Sequence, residues 1–549
     1  MSDIRIDALD LELFRHAVGS VVDELDVNVS RTAHSPIVYD YKDYCVGILT
    51  ADFRLIGQSK LNLPFFLADM GTSVADAVEV IGVENLRPGD VFLHNYSPVS
   101  GQQSNHVITA TPVYDEQERI AGYVAIRTHW VDIGGIVPGS ISWDATSRLQ
   151  EGLQLRGLRV VREGRVEPEV VATIEANTYM PQDVVGDLMA LTAACLLGAR
   201  RWKEEVIHRW PGDEVAAFVE AQFADSRRFV REAVSRLPDG EYAASVRTDD
   251  GGRPGTPPLE LKVKLEIRGD TIVVDLSDLP PQSDSPINTG AMGGAISAMR
   301  VAFKSLVAPE RVADEALFEP LEVRIPPGTF LSATGMAPMG HWNMTMPTMI
   351  DLFFKAIGSV HPELVAAGHH ATMAGLMVFH HTETGEVRMS GSTQIGGFGA
   401  HAEGDGFGPL NTLMHGDNQT EPMELTEARM PMRFHTFRSR EGSGGDGLHR
   451  GGPGVERIWE ALAPVTITTL LERTVDPPWG LAGGQPGKTG GFWVKYPGGD
   501  TWTAVNKVTS LPLPAGTLFR TWSAGGGGWG TPPTAPPDET TGESPEHGV

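Results

Sequence analysis

A cluster of polar side chains between residues 95 and 132 has the composition of a site for a divalent metal ion. It consists of Asn95, Gln103, His106, His129 and Asp132, which lie at or between the ends of two predicted strands. Imidazole and carboxylate groups brought together in this way suit a borderline ion such as Mn, Fe or Zn. His129 and Asp132 stand three residues apart, just before a glycine pair where the backbone can approach closely. Structural histidines are the alternative interpretation, because short ligand patterns also arise without a metal.

A second candidate is the stretch AGGQPGKT at residues 482–489, which fits a relaxed phosphate-loop pattern with Ala482 in place of the first glycine. A working phosphate loop follows a buried strand and opens a helix, whose N-terminal amides complete the cradle. Here DPPWG precedes the stretch, and GGFWVKYP after it is typical of a turn followed by a strand. We therefore interpret it as a structural glycine loop and expect no nucleotide site in this chain.

Nucleophilic catalysis has little support in the sequence. No Gly-x-Ser-x-Gly elbow occurs. Cys45 lies in a strand-like run and Cys195 in an apolar helix, and thiols in such places are usually inert fillers. Asp43 and Glu421 could act as acid or base only if they are buried beside the substrate. Solvated or capping carboxylates are the alternative for both.

Two histidine pairs, His369-His370 and His380-His381, flank the apolar stretch ATMAGLMVF. Side chains adjacent in sequence point in different directions on a helix or a strand. We interpret these pairs as local polar contacts rather than as ligands.

The elements that would position these residues alternate between strand and helix patterns. Residues 11–29 predict an amphipathic helix, residues 39–127 a strand-rich region, and residues 183–208 a second helix. Residues 259–275 predict a hairpin with one buried face and a turn at Gly269-Asp270. Helical patterns return at 290–308 and 347–360, and residues 386–530 are Gly-rich and strand-like. The fold class is therefore α+β, with a β-rich C-terminal part.

The organisation expected from these patterns is multi-lobed, since a chain of 549 residues exceeds what one compact core usually holds. We predict an N-terminal α+β lobe at 1–240 that carries the metal site, a hairpin and helical region at 241–385, and a Gly-rich β region at 386–530. The last stretch, 531–549, is polar and Pro-rich without apolar periodicity, which predicts a disordered tail.

Bulk composition excludes several classes of function. The formal net charge is -26, from 44 Lys and Arg against 70 Asp and Glu, and this charge repels nucleic acid and anionic membrane surfaces. Two cysteines are too few for a disulfide framework. The first residues lack the basic and apolar regions of a secretion signal, and no long apolar run predicts a membrane span. A cytoplasmic protein is expected.

Many short blocks in a fixed order resemble the hydantoinase B, 5-oxoprolinase and acetone carboxylase alpha-subunit family. The resemblance runs from about residue 8 to residue 530 and rests on RTAHSP at 31–36, KDYC at 42–45, LHN at 93–95, TPVY at 111–114, HWVDIGGIVPG at 129–139, PIN at 286–288, GGFG at 396–399, NQTEP at 418–422, GSGG at 442–445, RGGPG at 450–454, PPWGLAG at 477–483 and AGGGGWG at 524–530. A hydantoinase B-like, multi-lobed α+β fold is what the resemblance implies.

The resemblance also implies a second subunit with the actin-like ATPase superfold, which binds ATP-Mg and phosphorylates the substrate carbonyl or bicarbonate. In relatives a His-x-x-Asp pair and a later His hold the metal, and these positions fall here on Gln103, His106 and His129. Gln replaces His and His replaces Asp, so Asp132 is a candidate for the missing carboxylate. Asp43 is expected to act as an acid, base or orienting group.

The leading functional hypothesis is ATP-dependent hydrolysis of a cyclic amide such as a hydantoin, a lactam or a 5-oxoproline-like ring. Asn95, Asn343 and Glu421 are the expected substrate-binding residues. An ATP-dependent ketone carboxylase is the first alternative, and a non-catalytic scaffold subunit of the same hetero-oligomeric complex is the second, because of the altered Gln103 and His106.

Overall fold

A computed structural model describes residues 6–59, 63–66, 68–210, 213–416 and 418–533. Its helices are α1 (Ala8–Thr32), α2 (Pro36–Tyr39), α3 (Met70–Ile81), α4 (Ser97–Ser100), α5 (Pro168–Glu175), α6 (Pro181–Trp202), α7 (Glu214–Val234), α8 (Ser297–Val307), α9 (Met346–Gly358) and α10 (Met423–Arg429). The predicted first helix is confirmed, since its apolar stripe from Phe14 to Val29 is buried along α1.

A seven-stranded antiparallel sheet forms the centre of the N-terminal half. Its strand order is β2-β1-β5-β4-β3-β6-β7, and the strands are β1 (Tyr44–Thr50), β2 (Leu55–Gln58), β3 (Val91–His94), β4 (His106–Tyr114), β5 (Ile120–His129), β6 (Arg156–Arg162) and β7 (Arg165–Val166). Both faces are covered: Cys45 and Leu49 belong to one hydrophobic core, whereas Val46 and Ile48 belong to another. Burial on two faces explains why β1 is buried at every position and has no polar alternation.

A four-stranded sheet lies against α8 and α9. Its order is β11-β10-β9-β8, with β8 (Gly240–Arg247), β9 (Glu260–Arg268), β10 (Thr271–Asp275) and β11 (Leu321–Arg324). β9 and β10 form the predicted hairpin, and alternate β9 side chains from Leu261 to Ile267 are buried in the core. Because only one face of this sheet meets the core, apolar and polar residues alternate along β9, and this alternation predicts the hairpin from the sequence.

The C-terminal part contains two further antiparallel sheets, in agreement with the β-rich C-terminal part predicted from the sequence. The first has the order β13-β12-β16-β19 and the second β14-β15-β20-β17-β18. Their strands are β12 (Gly375–His381), β13 (Val387–Ser392), β14 (Met432–Arg440), β15 (Gly454–Ala461), β16 (Val465–Leu470), β17 (Gly491–Lys495), β18 (Thr503–Ala504), β19 (Val508–Leu513) and β20 (Leu518–Trp522). A third core, including Val378, Trp459 and Ile467, lies between the two sheets. The mixture of helices and several sheets confirms the α+β class.

Glycine-rich extended segments pack directly on one another beside this sandwich. These segments, which we call the glycine bundle, are residues 367–370, 396–400, 443–454, 479–490 and 524–530. Backbone bonds join them, including Gly452 N to the Phe398 carbonyl at 2.8 Å and Gly526 N to the Gly452 carbonyl at 2.9 Å. A Cβ added at Gly397 or Gly526 would overlap the backbone of a neighbouring segment. Glycine is therefore required here by close approach.

The structure departs from the sequence predictions at α3, which lies inside the region predicted to be strand-rich. The predicted helix at 183–208 is confirmed as α6 and a following π-helical turn, Lys203–Ile207. The span Pro181–Ile207 is long and apolar enough to cross a membrane by composition alone, but half of its most apolar window is buried inside the protein, as in a core helix. From residue 534 onward, the predicted tail lies outside the described residues. The lobe boundaries at 240, 385 and 530 stay predictions.

Candidate metal centre and the neighbouring cavities

Two adjacent antiparallel strands bring His106 and His129 face to face. His106 is the first residue of β4 and His129 the last residue of β5, and the two are directly paired. Their ring centroids lie 5.2 Å apart. Residues directly opposite in an antiparallel pair have neighbouring side chains on the same face. The sequence prediction that the two imidazoles lie at the ends of neighbouring strands agrees with this register.

Asp43 completes the cluster from the other neighbour of β5. It immediately precedes β1, and its carbonyl accepts a hydrogen bond from His129 N at 3.0 Å. Its Oδ2 lies 3.5 Å from His129 Nδ1. One ligand atom from each of Asp43, His106 and His129 lies within 4.8 Å of the other two. Two imidazoles and one carboxylate therefore converge on one point.

Gln103 lies on the turn before β4 and faces both imidazoles. Its Nε2 is 2.9 Å from His106 Nε2 and 3.1 Å from His129 Nδ1. The amide thus donates hydrogen bonds into the space that a shared ion would occupy, while Gln103 Oε1 is buried without a partner among the described residues. Rotation of the amide by half a turn would present Oε1, an oxygen ligand, to the same point.

The protonation states suit metal binding. Burial lowers the pKa of His129 to about 4, and burial with the nearby His129 and Arg127 charges lowers the pKa of His106 well below its usual range. Burial raises the pKa of Asp43 to about 7, and its Oδ1 has no hydrogen-bond partner within the described ranges. Neutral imidazoles with available lone pairs are the form that binds metal. The residues present therefore fit a divalent ion.

A buried chain of hydrogen bonds fixes the orientation of His106. Arg127 Nη1 donates to the Asp69 carboxylate at 2.6 Å, and Gln102 Nε2 donates to Asp69 Oδ1 at 3.0 Å. The carboxylate accepts only, so Gln102 must present its Oε1 to His106 Nδ1, 2.8 Å away. His106 then carries its proton on Nδ1 and its lone pair on Nε2, the atom that faces Gln103. Bonds of this kind, one step behind a ligand, orient metal ligands in other proteins.

Gln102, Asp69 and Arg127 were not predicted as site residues. The available signal was Arg127 itself, an arginine within the apolar run YVAIRTH. A fully buried charge in a central strand requires a partner, but only the fold shows that Asp69 and then Gln102 connect it to His106.

A small cavity of about 50 Å³ adjoins the cluster. Asp43 and His129 line it together with Tyr41, Ser392, Thr393, Asn418 and the apolar side chains Ile37, Ile141, Met373, Leu376, Met377 and Leu470. Its walls are mostly apolar. A reacting group held there would be shielded from bulk water.

Asp132 and Asn95 lie apart from the cluster, where their side chains form hydrogen bonds that hold neighbouring loops in place. Asp132 is fully buried, and its two oxygens accept bonds from Gly134 N, Gly139 N, Thr178 Oγ1, Tyr179 N and Ser140 Oγ. Asn95 binds the Ser104 and Leu153 carbonyls and accepts from Leu155 N. The structure thus brings Asp43, and not Asp132, to the two imidazoles as their carboxylate.

The other expected substrate-binding residues lie in two different places. Asn343 donates to Met373 Sδ at 2.7 Å, and Met373 lines the cavity beside the cluster. Glu421 is buried. Its Oε1 accepts a hydrogen bond from Arg429, and its Oε2 accepts from the hydroxyls of Tyr41, Ser390 and Thr426. It lines a second, neighbouring cavity.

The stretch 482–489 belongs to the glycine bundle. Four of its backbone N–H groups are already bonded to carbonyls: Gly484 to Leu481, Gln485 to Asp446, Gly487 to Pro478 and Lys488 to Ser443. The strand β17 follows it, as expected, instead of a helix. Those amides are not free to cradle a phosphate.

The other histidine candidates differ in whether they have local partners, since both ring nitrogens of His370 are buried without a hydrogen-bond partner among the described residues. His369 Nδ1 bonds to Asp351 at 2.9 Å, and His380 Nδ1 bonds to the Pro464 carbonyl at 3.1 Å. Cys45 and Cys195 are free and buried, and burial raises the pKa of both thiols. These thiols are therefore poor nucleophiles at neutral pH.

Comparison with known proteins shows a family that this chain matches over nearly its whole length. A sequence model described as Hydantoinase B/oxoprolinase matches residues 7–532. A Pseudomonas protein provisionally named as the B component of a D-/L-hydantoinase is 26% identical over 97% of this chain and 92% of its own length. The 5-oxoprolinase of Dictyostelium discoideum is 26% identical over 96% of this chain, which spans 40% of that longer protein.

Two solved structures share the fold. The ATP-dependent caprolactamase from Pseudomonas jessenii matches with a TM-score of 0.89 at 23% identity, over 96% of this chain and 91% of the other. An acetone carboxylase in its nucleotide-free form matches with a TM-score of 0.84 at 17% identity, over 94% of this chain and 75% of the other.

Proposed function

Since this chain belongs to the hydantoinase B/oxoprolinase family, we propose that it is the metal-dependent subunit of a two-component, ATP-dependent enzyme that opens a cyclic amide. The substrate class is a hydantoin, a lactam or a 5-oxoproline-like ring. The observation that carries the proposal is the buried convergence of Asp43, His106 and His129, with Gln103 between the imidazoles.

Nucleotide chemistry is assigned to a separate hydantoinase A-like subunit of the actin-like superfold, which binds ATP-Mg. The occupied amides of residues 482–489 support this division. So does the name of a relative of nearly equal length, which describes that relative as one component of a larger hydantoinase. The greater length of a 5-oxoprolinase that this chain only partly spans is a third support. The assembly is a hetero-oligomer and its location is cytoplasmic.

An amide resists attack because resonance strengthens its C–N bond. Phosphorylation of the amide oxygen by the partner would remove that resonance. A divalent ion of Mn, Zn or Fe, held by Asp43, His106 and His129 with Gln103 as a fourth ligand, would supply Lewis-acid activation. Asp43 Oδ1, free of partners among the described residues, can accept a proton from the attacking water. The apolar cavity walls exclude competing solvent.

A ketone carboxylase is the second candidate, because acetone carboxylation occurs on the same fold in a solved structure. In that reaction the cluster would bind the ketone oxygen, and the partner would activate bicarbonate. The two candidates differ in the electrophile and not in the residues used.

The test is reconstitution of this chain with a hydantoinase A-like ATPase subunit of the actin-like superfold. ADP release and product formation would be followed with hydantoin, lactam and 5-oxoproline substrates, and with acetone plus bicarbonate. We expect ADP release coupled to ring opening and about one metal per chain by elemental analysis. Metal-free chains with no coupled turnover on any substrate would favour the scaffold role instead.

A further inference from the structure

Arg457 on β15 is a buried cation without a protein partner in the described part of the chain. The residue is 5% exposed, and its Nε and Nη2 are buried without a hydrogen-bond partner among the described residues. It forms no ion pair with any carboxylate that the structure describes. The neighbouring contact is Phe437, directly opposite on β14, whose ring lies 4.3 Å from the guanidinium carbon.

Such a group is costly unless something else binds it. A buried charge without a partner is strongly destabilising, and a single aromatic face offsets only part of that. Desolvation lowers the pKa of Arg457 to about 10, so the guanidinium remains protonated at neutral pH. The residue therefore either destabilises the empty protein or is matched by an anion from outside the chain.

A small cavity of about 30 Å³ lies beside the guanidinium. Arg457 lines it with Tyr41, Ser390, Ser392, Gln394, Glu421, Thr521 and mostly apolar side chains that include Leu376, Val378 and Trp459. One water needs roughly 10–15 Å³ of such space, so the cavity has room for about two or three heavy atoms, the size of one O–C–O group. Glu421 also lines it, but both of its oxygens already accept bonds from Arg429 and from three hydroxyls.

The guanidinium and the donors in the cavity walls determine which anions fit the cavity best. One guanidinium matches one negative charge, and its planar fork matches the two oxygens of a carboxylate. The polar side chains in the walls already donate hydrogen bonds within the protein, from Tyr41 and Ser390 to Glu421 and from Thr521 to Gln394. Few donors therefore remain for the extra oxygens and second charge of phosphate. A planar O–C–O group on a small molecule is the best match.

The cavity adjoins the candidate metal centre. Tyr41, Leu376 and Ser392 line both this cavity and the one beside Asp43 and His129. An anion at Arg457 would thus be separated from the metal cluster by a single layer of side chains.

We infer that the Arg457 cavity binds a small planar monoanion, either the carboxylate of an organic molecule or bicarbonate. Its connection to the reaction rests on the proposed function: a carboxylate would anchor a ring substrate that carries one, whereas bicarbonate would serve as a co-substrate. Binding itself requires neither metal nor ATP.

The experiment uses the full chain after removal of metal with a chelator. Melting temperature and calorimetric titration are measured with sodium acetate, bicarbonate and phosphate, against sodium chloride at equal ionic strength. We expect saturable stabilisation by acetate or by bicarbonate and little by phosphate; the tighter of the two identifies the source of the group. Arg457→Met should weaken this binding at least about tenfold, because charge-assisted bonds are lost.

Two further variants separate binding from folding. Ligand-free Arg457→Met should melt at or above the wild-type temperature, since an unpaired buried charge is removed. Arg457→Lys keeps the charge without the fork and should bind acetate more weakly than wild type. Arg438→Met is the matched control, because Arg438 lies on β14, is mostly exposed and pairs with Glu456, and it should bind acetate normally.

The inference fails if acetate and bicarbonate stabilise wild type no more than chloride does, or if Arg457→Met binds them as wild type does. A chain that binds acetate through Arg457 but lacks metal or ATP-coupled turnover would retain the anion site and reject the proposed function.

Discussion

Replacing Gln102 with leucine should weaken metal binding while the chain still folds. Leucine has similar volume but neither accepts from His106 Nδ1 nor donates to Asp69. His106 would lose the bond that holds its proton on Nδ1. Either ring nitrogen could then carry the proton, and a fraction of the molecules would present an N–H to the metal position.

The expected size follows from the contacts. Loss of a bond that orients a metal ligand typically weakens affinity about 10–100-fold, which corresponds to about 1.4–2.7 kcal/mol. The Asp69 carboxylate keeps Arg127 and Ser73 as partners, so its charge stays compensated. The variant loses two buried hydrogen bonds, one to the Asp69 carboxylate that costs about 1.5–3 kcal/mol and one with the neutral His106 that costs about 0.5–1.5 kcal/mol. The sum is less than the total stability of a typical domain.

The assay is competition for Zn²⁺ between the metal-free chain and a fluorescent chelator, for wild type and Gln102→Leu. Nitrogen-15 NMR of labelled histidine would report the position of the His106 proton directly. The matched control is Gln222→Leu, since Gln222 is also buried and bonds to the Ile56 carbonyl and Asp314, away from the cluster. It should leave zinc affinity unchanged.

Three results would refute the reasoning. Equal zinc affinity in wild type and Gln102→Leu would show that Gln102 does not orient a ligand. A His106 proton that remains on Nδ1 in the variant would show that another group sets the tautomer. Equal losses in Gln102→Leu and Gln222→Leu would point to general destabilisation.

Four further outcomes are expected. His106→Ala and His129→Ala should each lose bound metal and ATP-coupled turnover yet keep a near wild-type melting curve; full metal content in both would support structural histidines. Lys488→Ala should leave the ATP affinity of the assembled enzyme unchanged, measured by titration. Deletion of 533–549 should shift the melting temperature little, and loss of expression would contradict this. Burial and a neighbouring carboxylate raise the pKa of Asp183 to about 6, so its stabilising contribution, complete below about pH 4, is lost as pH rises through 6. Asp183→Asn should therefore gain melting temperature over wild type across that window.

Local patterns were sufficient for elements that bury one face. The stripe of α1 and the alternation of β9 are visible in the sequence because one side of each meets the core and the other meets water. The helix α3 lies inside the region of residues 39–127 that the short apolar runs predict to be strand-rich. The burial of Met70, Val74, Ala77 and Val78 at helical spacing nevertheless specifies it.

The site was partly predictable for a different reason. His106 and His129 could be placed together because His106 begins one strand, His129 ends the next, and the two strands follow one another in the chain. Asp43 reaches them through the pairing of β1 with β5, which joins distant segments. Arg457 could not be found at all: in GVERIWEA it looks like an outward-facing residue, and only packing against Phe437 and near Tyr41 buries it.

The glycine bundle cannot be stabilised by the common substitution of glycine with alanine. Replacing glycine with alanine often stabilises a protein by restricting its unfolded chain. At Gly397, Gly452 and Gly526 the added methyl would overlap a neighbouring backbone, which cannot withdraw without breaking the hydrogen bonds between segments. Mutational scanning should therefore find these positions intolerant of every side chain, although none of them carries one. A variant library built on this chain should hold them constant and diversify the exposed faces of α1 and α7.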